Sequence, residues 1–402
     1  MAKLPLEGVR IADFCWAWAG PYATMLLASM GAEVLKIESM QRLDHVRARA
    51  LGFGLFGGVD RSPFFNDLNL NKLSVTLNLS QPQAVELAKR MVSISDVASQ
   101  NMRPGAMDRL GLSYEDLRKV KPDIIYLSSS ACGATGPDRE YIGYAPTFAA
   151  LGGAVYLCGY PDAPPQGMTG SIDLRSAVAS AFAILAALCY RQRTGEGQHI
   201  DLSSQEAITV LLGEALMDYT MNRRNQTRKG NHDDAMAPHS CYRCRGGQWV
   251  TIAIATEEEW QTFCSAIGAP EWTKDQNFSD AYSRLKNQDE LDRRVEEWTM
   301  NHTPYQVMEI LQQAGVAAVP SFDSELLFTD PHLRERGLFE EVDHPLMGKR
   351  VVISPPWKLS DAPTPPSHHA PLMGEHNEYV FGELLGLSLK EIAELQERGI
   401  IY

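Results

Sequence analysis

From residue 9 to residue 130, short β-type runs alternate with helical patterns, and no other feature of the sequence constrains the fold as tightly. Val9 to Phe14 reads as a strand. Gly20-Pro21 opens a helix with apolar Ala23, Leu26, Leu27 and Met30, proline being harmless at a first helical position, and Gly31 ends it. Glu33 to Ile37 is a second strand and Ser74 to Leu79 a third, after which Ser80 is expected to cap a helix through Met91. Val97-Ala-Ser leads to the loop Asn101 to Gly105 and a short helix ending at Gly111. Ser113-Tyr-Glu-Asp116 has the form of a capping box, and Asp123 to Leu127 is another strand. The pattern predicts an α/β fold, a parallel sheet with helices on both faces. Its ligand site should lie at the carboxyl ends of the strands. Ala19-Gly20-Pro21 does not supply Gly-x-Gly-x-x-Gly, so a dinucleotide enzyme is a weak reading.

Beyond residue 176 the pattern changes. Residues 176–220 read as two long helices around the turn Arg193 to Gly197, the first buried through Val178, Ala181, Phe182, Leu185 and Leu188. Residues 240–320, with a strand from Trp249 to Ala255 and amphipathic helices near 258–267 and 304–314, suggest a smaller second domain. Pro363, Pro365, Pro366 and Pro371 mark an extended tether that delivers a last helix, Ser388 to Arg398, to the first domain. The expected division is 1–220 for the large domain, 225–325 for the small one and 326–402 for the returning segment. A chain of 402 residues, at about 150 per domain, suits two or three domains.

Charge and cysteines narrow the classes. Thirty-seven basic against fifty acidic residues gives −13, the wrong sign for a general nucleic-acid binder. An anionic ligand must therefore meet a local basic cluster. Ser176 to Tyr190 is expected to be too short to cross a bilayer, which needs about 20 apolar residues. Glu7, Arg10 and Asp13 interrupt any apolar leader, so a cytoplasmic protein with no membrane partner is expected. Seven cysteines scattered through apolar segments suit reduced thiols better than a disulfide framework. Cys241 and Cys244 form a Cys-x-x-Cys, but His239 alone does not complete a zinc site, and no metal is expected.

Several blocks then occur in one order: Phe14 with Gly20-Pro21, Gly31 to Glu38, Asn71-Lys72, Asn101 to Gly111, Ile172-Asp173, Leu185 to Gln198, and Ala370 to His376. Together they span nearly the whole chain and resemble the class III coenzyme A transferases, of the formyl-CoA and carnitine-CoA transferase type. The resemblance implies a large Rossmann-like domain built from both chain ends and a smaller α+β domain inserted between them. It also implies a homodimer of interlinked rings; a heteromer with a paralogous subunit stays open. It implies acyl-CoA and carboxylic acid substrates and no cofactor beyond the CoA thioester.

By the same resemblance Asp173 is the nucleophile that carries CoA through a covalent aspartyl intermediate. Read from spacing alone, an aspartate before a long helix is equally an N-cap. The two roles are compatible, since a helix N-terminus favours an ionised carboxylate. Asn101, Met102 and Arg109 correspond to CoA-binding positions, with Asn71 and Lys72 lining the approach. Arg42, Arg47, Arg49 and Arg103 are nearby cations for its phosphates, and the loop Cys132 to Pro137 resembles one that covers the pantetheine; alone it reads as a Gly-rich turn. Trp16, Ala17, Trp18 and Tyr144 belong to the expected substrate pocket.

Two departures bear on the substrate. Formyl-CoA transferases carry glutamine where this chain has Trp18, and a run of four glycines where it has Gly230 to Ala237, which speaks against formate or oxalate. Trp16 and Trp18 would suit a bulky or aromatic acyl group such as benzylsuccinate, with succinyl-CoA as a donor, unless one or both are core. The related α-methylacyl-CoA racemases place a His-Asp pair where this chain has Tyr144-Ala145. A tyrosine does not readily move a proton near neutrality, which disfavours racemisation. A non-catalytic subunit of a heteromeric transferase is the remaining alternative, disfavoured by the presence of Asp173. His368 and His369 are expected to be solvated, and Glu375 and His376 to shape the turn before the last helix.

Overall fold

The computed structural model describes residues 3–52, 57–167, 171–363 and 367–402, and at residues 49–52 and 171 the backbone alone. The side chain of Arg49 and the tether residues Pro365 and Pro366 lie outside the described residues. Two compact units form. The first comprises Met1–Val155, Gly167–Arg224 and Glu335–Tyr402; the second comprises Tyr156–Gln166 and Asn225–Arg334.

The first unit is built on six parallel strands: β1 (Arg10–Asp13), β2 (Glu33–Glu38), β3 (Lys72–Thr76), β4 (Val97–Gln100), β5 (Ile125–Ser130) and β6 (His199–Ser203). Their order is β3-β2-β1-β4-β5-β6, so the direction of winding reverses between β1 and β4. Helices α1 (Ala19–Ala28), α2 (Pro82–Ser93), α3 (Ala106–Arg109), α4 (Tyr114–Val120), α5 (Ala145–Leu151) and α6 (Ser171–Thr194) follow the strands. Alternation within each strand feeds two cores. Ala12 and Leu35 join Leu87, Met91, Leu117 and Phe381 on one face of the sheet. Their neighbours Ile11 and Val34 join Leu27 and Ile184 on the other. Coverage of both faces is what an all-parallel sheet needs.

Four expectations change. The helix after β3 has Gln81 rather than Ser80 at its N-cap position, with no side-chain cap, because Pro82 takes its first position. The stretch 176–220 is not two long helices: α6 is followed by β6, then by helices Ser204–Thr209 and Gly213–Asn222. Helix α6 is only partly buried: Ala181, Ile184 and Ala187 face the core, whereas Val178 is 54% and Phe182 73% exposed. Finally, Ile172–Thr194 is long and apolar enough to cross a membrane by length and composition, contrary to the shorter segment expected. Here its buried stripe packs on the sheet beside α1.

The returning segment is more structured than a tether. Strands β10 (Phe339–His344) and β11 (Gly348–Ile353) pair as a hairpin. Ala370 is buried against Val46 and Phe65. The chain then lies along β3, the edge strand: His376 N–H donates to Ser74 O at 3.0 Å, and Asn377 Oδ1 accepts from Thr76 N–H at 2.9 Å. Helix α7 (Leu389–Glu397) follows with a Ser388–Glu391 capping box, and Ile400 and Ile401 end in the core.

The second unit has an antiparallel sheet of β7 (His239–Arg243), β8 (Trp249–Ala253) and β9 (Ala317–Pro320). Trp260, Phe263, Leu291, Val295 and Leu311 form its core. Cys244 is buried in that core, and the Cys241 thiol lies 3.3 Å from Thr251 Oγ1. The unit runs nine residues past the expected boundary at 325, to Arg334, and takes in Tyr156–Gln166.

Candidate active site

The reversal between β1 and β4 places the loop Phe14–Trp18 beside the loop that follows β4. Asn101 joins them: its Oδ1 accepts from Trp16 N–H and its Nδ2 donates to Trp16 O, both at 2.7 Å. Helix α1 closes tightly on this junction. A Cβ on Gly20 would meet Cys15 Cβ at 2.5 Å, so no other residue fits there without displacing the loop.

Beneath the loop lies a set of buried charges. Lys72 donates to Asp13 Oδ2 at 3.0 Å, Thr24 Oγ1 at 2.7 Å, Pro21 O at 2.8 Å and Asn69 Oδ1 at 3.0 Å. Burial would raise the Asp13 carboxyl, but the Lys72 and Lys36 ammonium groups outweigh it and hold it below the usual aspartate range. Arg47 grips Glu38 with two bonds of 2.8 Å, Asp60 with one of 2.7 Å and Pro371 O with one of 2.9 Å. Both cations have fully buried side chains. Lys72 and Arg47 are therefore corrected from ligand contacts to internal partners: their donors are consumed within the fold.

Two clefts open at the carboxyl ends. The first, about 370 Å³, is walled by Phe14, Trp16, Ile37, Leu77, Met102, Met107 and Leu110, with Arg42 and Arg109 on its rim. The Arg42 guanidinium lies 5.2 Å from the centroid of the Trp16 ring. Glu38 also lines this cleft, but Arg47 neutralises it. The apolar wall and exposed arginines suit a ligand with a flat ring system and phosphates. The second cleft, about 430 Å³, holds Arg103, Arg139, Tyr114 and His199. Ser128 Oγ there sits between Gln100 Nε2 at 2.9 Å and His199 Nε2 at 3.0 Å. Burial lowers the His199 pKa, favouring the neutral ring.

The expected site residues thus separate. Trp16, Met102 and Arg109 share the first cleft; Met102 also borders the second, with Arg103. Trp18 does not: it packs on Val46, Phe65 and Ala370, with its ring 6.1 Å from Phe64. Ala17 has a left-handed backbone, φ 62°. Asn71, also left-handed at φ 64°, accepts from His368 N–H at 2.5 Å, so it ties down the returning segment. Tyr144 is 69% exposed at the start of α5 and lines neither cleft. His369 is not free in solvent: its Nε2 meets Glu375 Oε1 at 3.1 Å. The loop Cys132 to Pro137 is anchored by Ala134 N–H, which donates to Asp201 Oδ1 at 2.9 Å.

Asp173 is half-buried in the first turn of α6, inside the helix rather than at its cap. Its neighbour Ile172 is buried with Ala149 and Ile208. Burial raises the Asp173 carboxyl pKa above its ordinary value, and no cation among the described residues offsets that rise. An aspartate so placed is poorly solvated and oriented by a rigid helix, the condition in which a carboxylate becomes more nucleophilic.

Comparison with known proteins gives one consistent result. The family model described as CoA-transferase family III matches residues 6–377. The succinyl-CoA–D-citramalate CoA-transferase of Chloroflexus aurantiacus is 32% identical, over 99% of this chain and 98% of its own. The succinyl-CoA–L-malate CoA-transferase β subunit of the same organism is 31% identical, over 99% of this chain and 98% of its own. Among solved structures, a CAIB/BAIF family protein from Brucella suis superimposes with a TM-score of 0.86 at 29% identity, over 96% of this chain and all of that one.

Proposed function

Since the chain belongs to CoA-transferase family III, we propose that it moves CoA from succinyl-CoA to a second carboxylic acid through Asp173. The Asp173 carboxylate attacks the thioester carbonyl, giving a mixed anhydride and CoA thiolate. The thiolate attacks the aspartyl carbonyl, releasing succinate and leaving an aspartyl-CoA thioester. The acceptor carboxylate attacks that thioester, and the thiolate then takes the acceptor acyl group and frees Asp173. Each step exchanges one acyl bond for another, so the route calls for no group besides the two substrates. The amide groups at the start of α6 favour the ionised nucleophile and offer donors to the oxyanion.

The observation that carries this reading is the half-buried carboxylate of Asp173 on the first turn of α6, its pKa raised by burial. The first cleft is the reading for the CoA nucleotide, with Arg42 and Arg109 toward its phosphates and Trp16 beside the acyl end. Succinyl-CoA as donor is supported by the two Chloroflexus relatives named for it. The acceptor is read as a substituted dicarboxylate, benzylsuccinate being the aryl-bearing candidate that Trp16 would suit. The enzyme is read as a cytoplasmic, interlinked homodimer; the exposed Val178 and Phe182 on α6 support burial against a second chain.

The test is a panel of acids incubated with succinyl-CoA, comprising D-citramalate, L-malate, benzylsuccinate, formate and oxalate, with thioesters read by mass spectrometry. Transfer to D-citramalate, L-malate or benzylsuccinate and none to formate or oxalate is expected. No new thioester from any acid with any acyl-CoA donor would overturn the reading. Hydroxylamine added with acyl-CoA should inactivate the enzyme and mark Asp173 in peptide maps; a mark on another carboxylate displaces the nucleophile.

A further inference from the structure

Side chains hold the loop between β1 and α1 at each residue from Cys15 to Ala17. Cys15 N–H donates to Asp13 Oδ1 at 3.0 Å, and Cys15 O accepts from Lys36 Nζ. Asn101 takes both backbone groups of Trp16. Ala17 N–H donates to Asp44 Oδ1 at 3.0 Å. Asp44 Oδ2 in turn faces Lys36 Nζ at 3.4 Å, and both side chains are buried, at 1% and 0% exposure. A bridge therefore runs from Ala17 through Asp44 and Lys36 to Cys15, bracketing the single residue between them, Trp16.

A buried ion pair is a poor stabiliser, since apolar residues of similar volume often do as well or better. Ala17, meanwhile, sits in the left-handed region that a residue with a Cβ seldom occupies. Strain and buried charge together at the wall of a cleft indicate a conformation imposed for what it presents. What it presents is Trp16, whose ring borders the first cleft under Arg42.

We propose that Lys36 and Asp44 are positioning residues for CoA transfer, bracketing Trp16 so that its indole fixes the acyl end of the bound thioester. The inference rests on the first cleft being the CoA site. Asp44 supplies the acceptor that keeps Ala17 left-handed, and Lys36 keeps Asp44 in place. Neither residue touches the substrate.

Two double variants test the clamp without leaving a lone buried charge; Asp44 Oδ1 also accepts from Val46 N–H at 3.0 Å, so melting temperature is read beside kcat in both. Lys36→Met with Asp44→Asn keeps an oxygen for Ala17 N–H, whereas Lys36→Met with Asp44→Ala removes it. Relative to the first, the second should lose ten- to a hundredfold in kcat, since small misplacements near reacting groups have effects of about that size. Free CoA, held by the arginines, should bind within about threefold in both. Equal kcat in the two, or a difference in melting temperature alone, overturns the positioning role. If the variants do not fold, exchange of the Ala17 amide in the wild-type enzyme decides: slow exchange supports the clamp and fast exchange removes it. A wild type that transfers no CoA refutes the functional reading itself, and active but equal variants refute only the clamp.

Discussion

The proposed mechanism concentrates the chemistry in one carboxyl group, that of Asp173. Its pKa is raised by burial, so the reactive ionised form is lost as pH falls through a value above the ordinary 3.8. The acid limb of kcat/KM should therefore lie above that of a solvated aspartate, and a limb at or below 3.8 contradicts the burial. The same sign governs stability. An acid whose folded pKa is raised contributes stability that is fully present below its unfolded pKa, is lost as pH rises to the folded one, and stays lost above it. Asp173→Asn should thus abolish transfer, to below about a hundredth of wild type, while its melting temperature at pH 7 equals or exceeds that of the wild type. The two tryptophans should part company as well. Trp16→Ala should change the preference between an aryl-bearing and a short acid by roughly ten- to two-hundredfold. Trp18→Ala should leave that ranking alone and lower stability by up to about 3 kcal/mol, because its ring packs on Phe64 and Phe65. Paired kcat/KM and melting measurements on both variants separate the outcomes.

The strand ends show what a linear sequence reveals and what it hides. Lys72→Ala would leave Asp13 buried without its main cation and should cost about 3–5 kcal/mol in urea unfolding, with CoA affinity of the folded fraction unchanged. A loss of affinity at unchanged stability would restore Lys72 as a ligand contact. The sequence could not announce this pairing. Lys72 and Asp13 are 59 residues apart and meet only because β2 lies between their strands. The parallel alternation was legible because each of β1 to β5 carries at least two apolar residues in a short run with a turn signal after it. Strand β6 was not: His199-Ile-Asp-Leu-Ser203 is a half-exposed edge of five residues, easily absorbed into flanking helical patterns. Helix α6 misled for another reason. Its apolar residues cover two faces, and periodicity alone does not say which of them meets this chain's own core. Motif positions did bring Trp16, Met102 and Arg109 to one cleft, whereas the Asn101 bridge and the Lys36–Asp44 pair carried no local signal at all.

At the scale of the whole molecule, α6 and the helices after β6 display Val178, Phe182, Val210 and Met221, each more than half exposed. An isolated monomer of this kind is poorly suited to water. Sedimentation at nanomolar concentration should find a dimer that separates only on unfolding, as threading requires; a folded monomer there refutes the interlinked assembly. Residues 400–402 matter in a different way. Asn78 N–H donates to Ile400 O at 2.8 Å, and Thr76 Oγ1 donates to Tyr402 O at 2.9 Å. The outer margin of β3 and of the residues just after it, of which Leu77 and Asn78 line the first cleft, is therefore covered by residues more than 300 positions further along the chain. During synthesis on the ribosome, β1 to β5 emerge with that margin bare, and an uncovered strand edge invites pairing with other nascent chains. Expression of a version ending at Arg398 should yield mostly insoluble material, and polysome-linked aggregates should contain the first unit; a soluble, CoA-binding truncation would show that the margin needs no cover. The order of synthesis, and not only the sequence, then bears on whether that margin is covered in time.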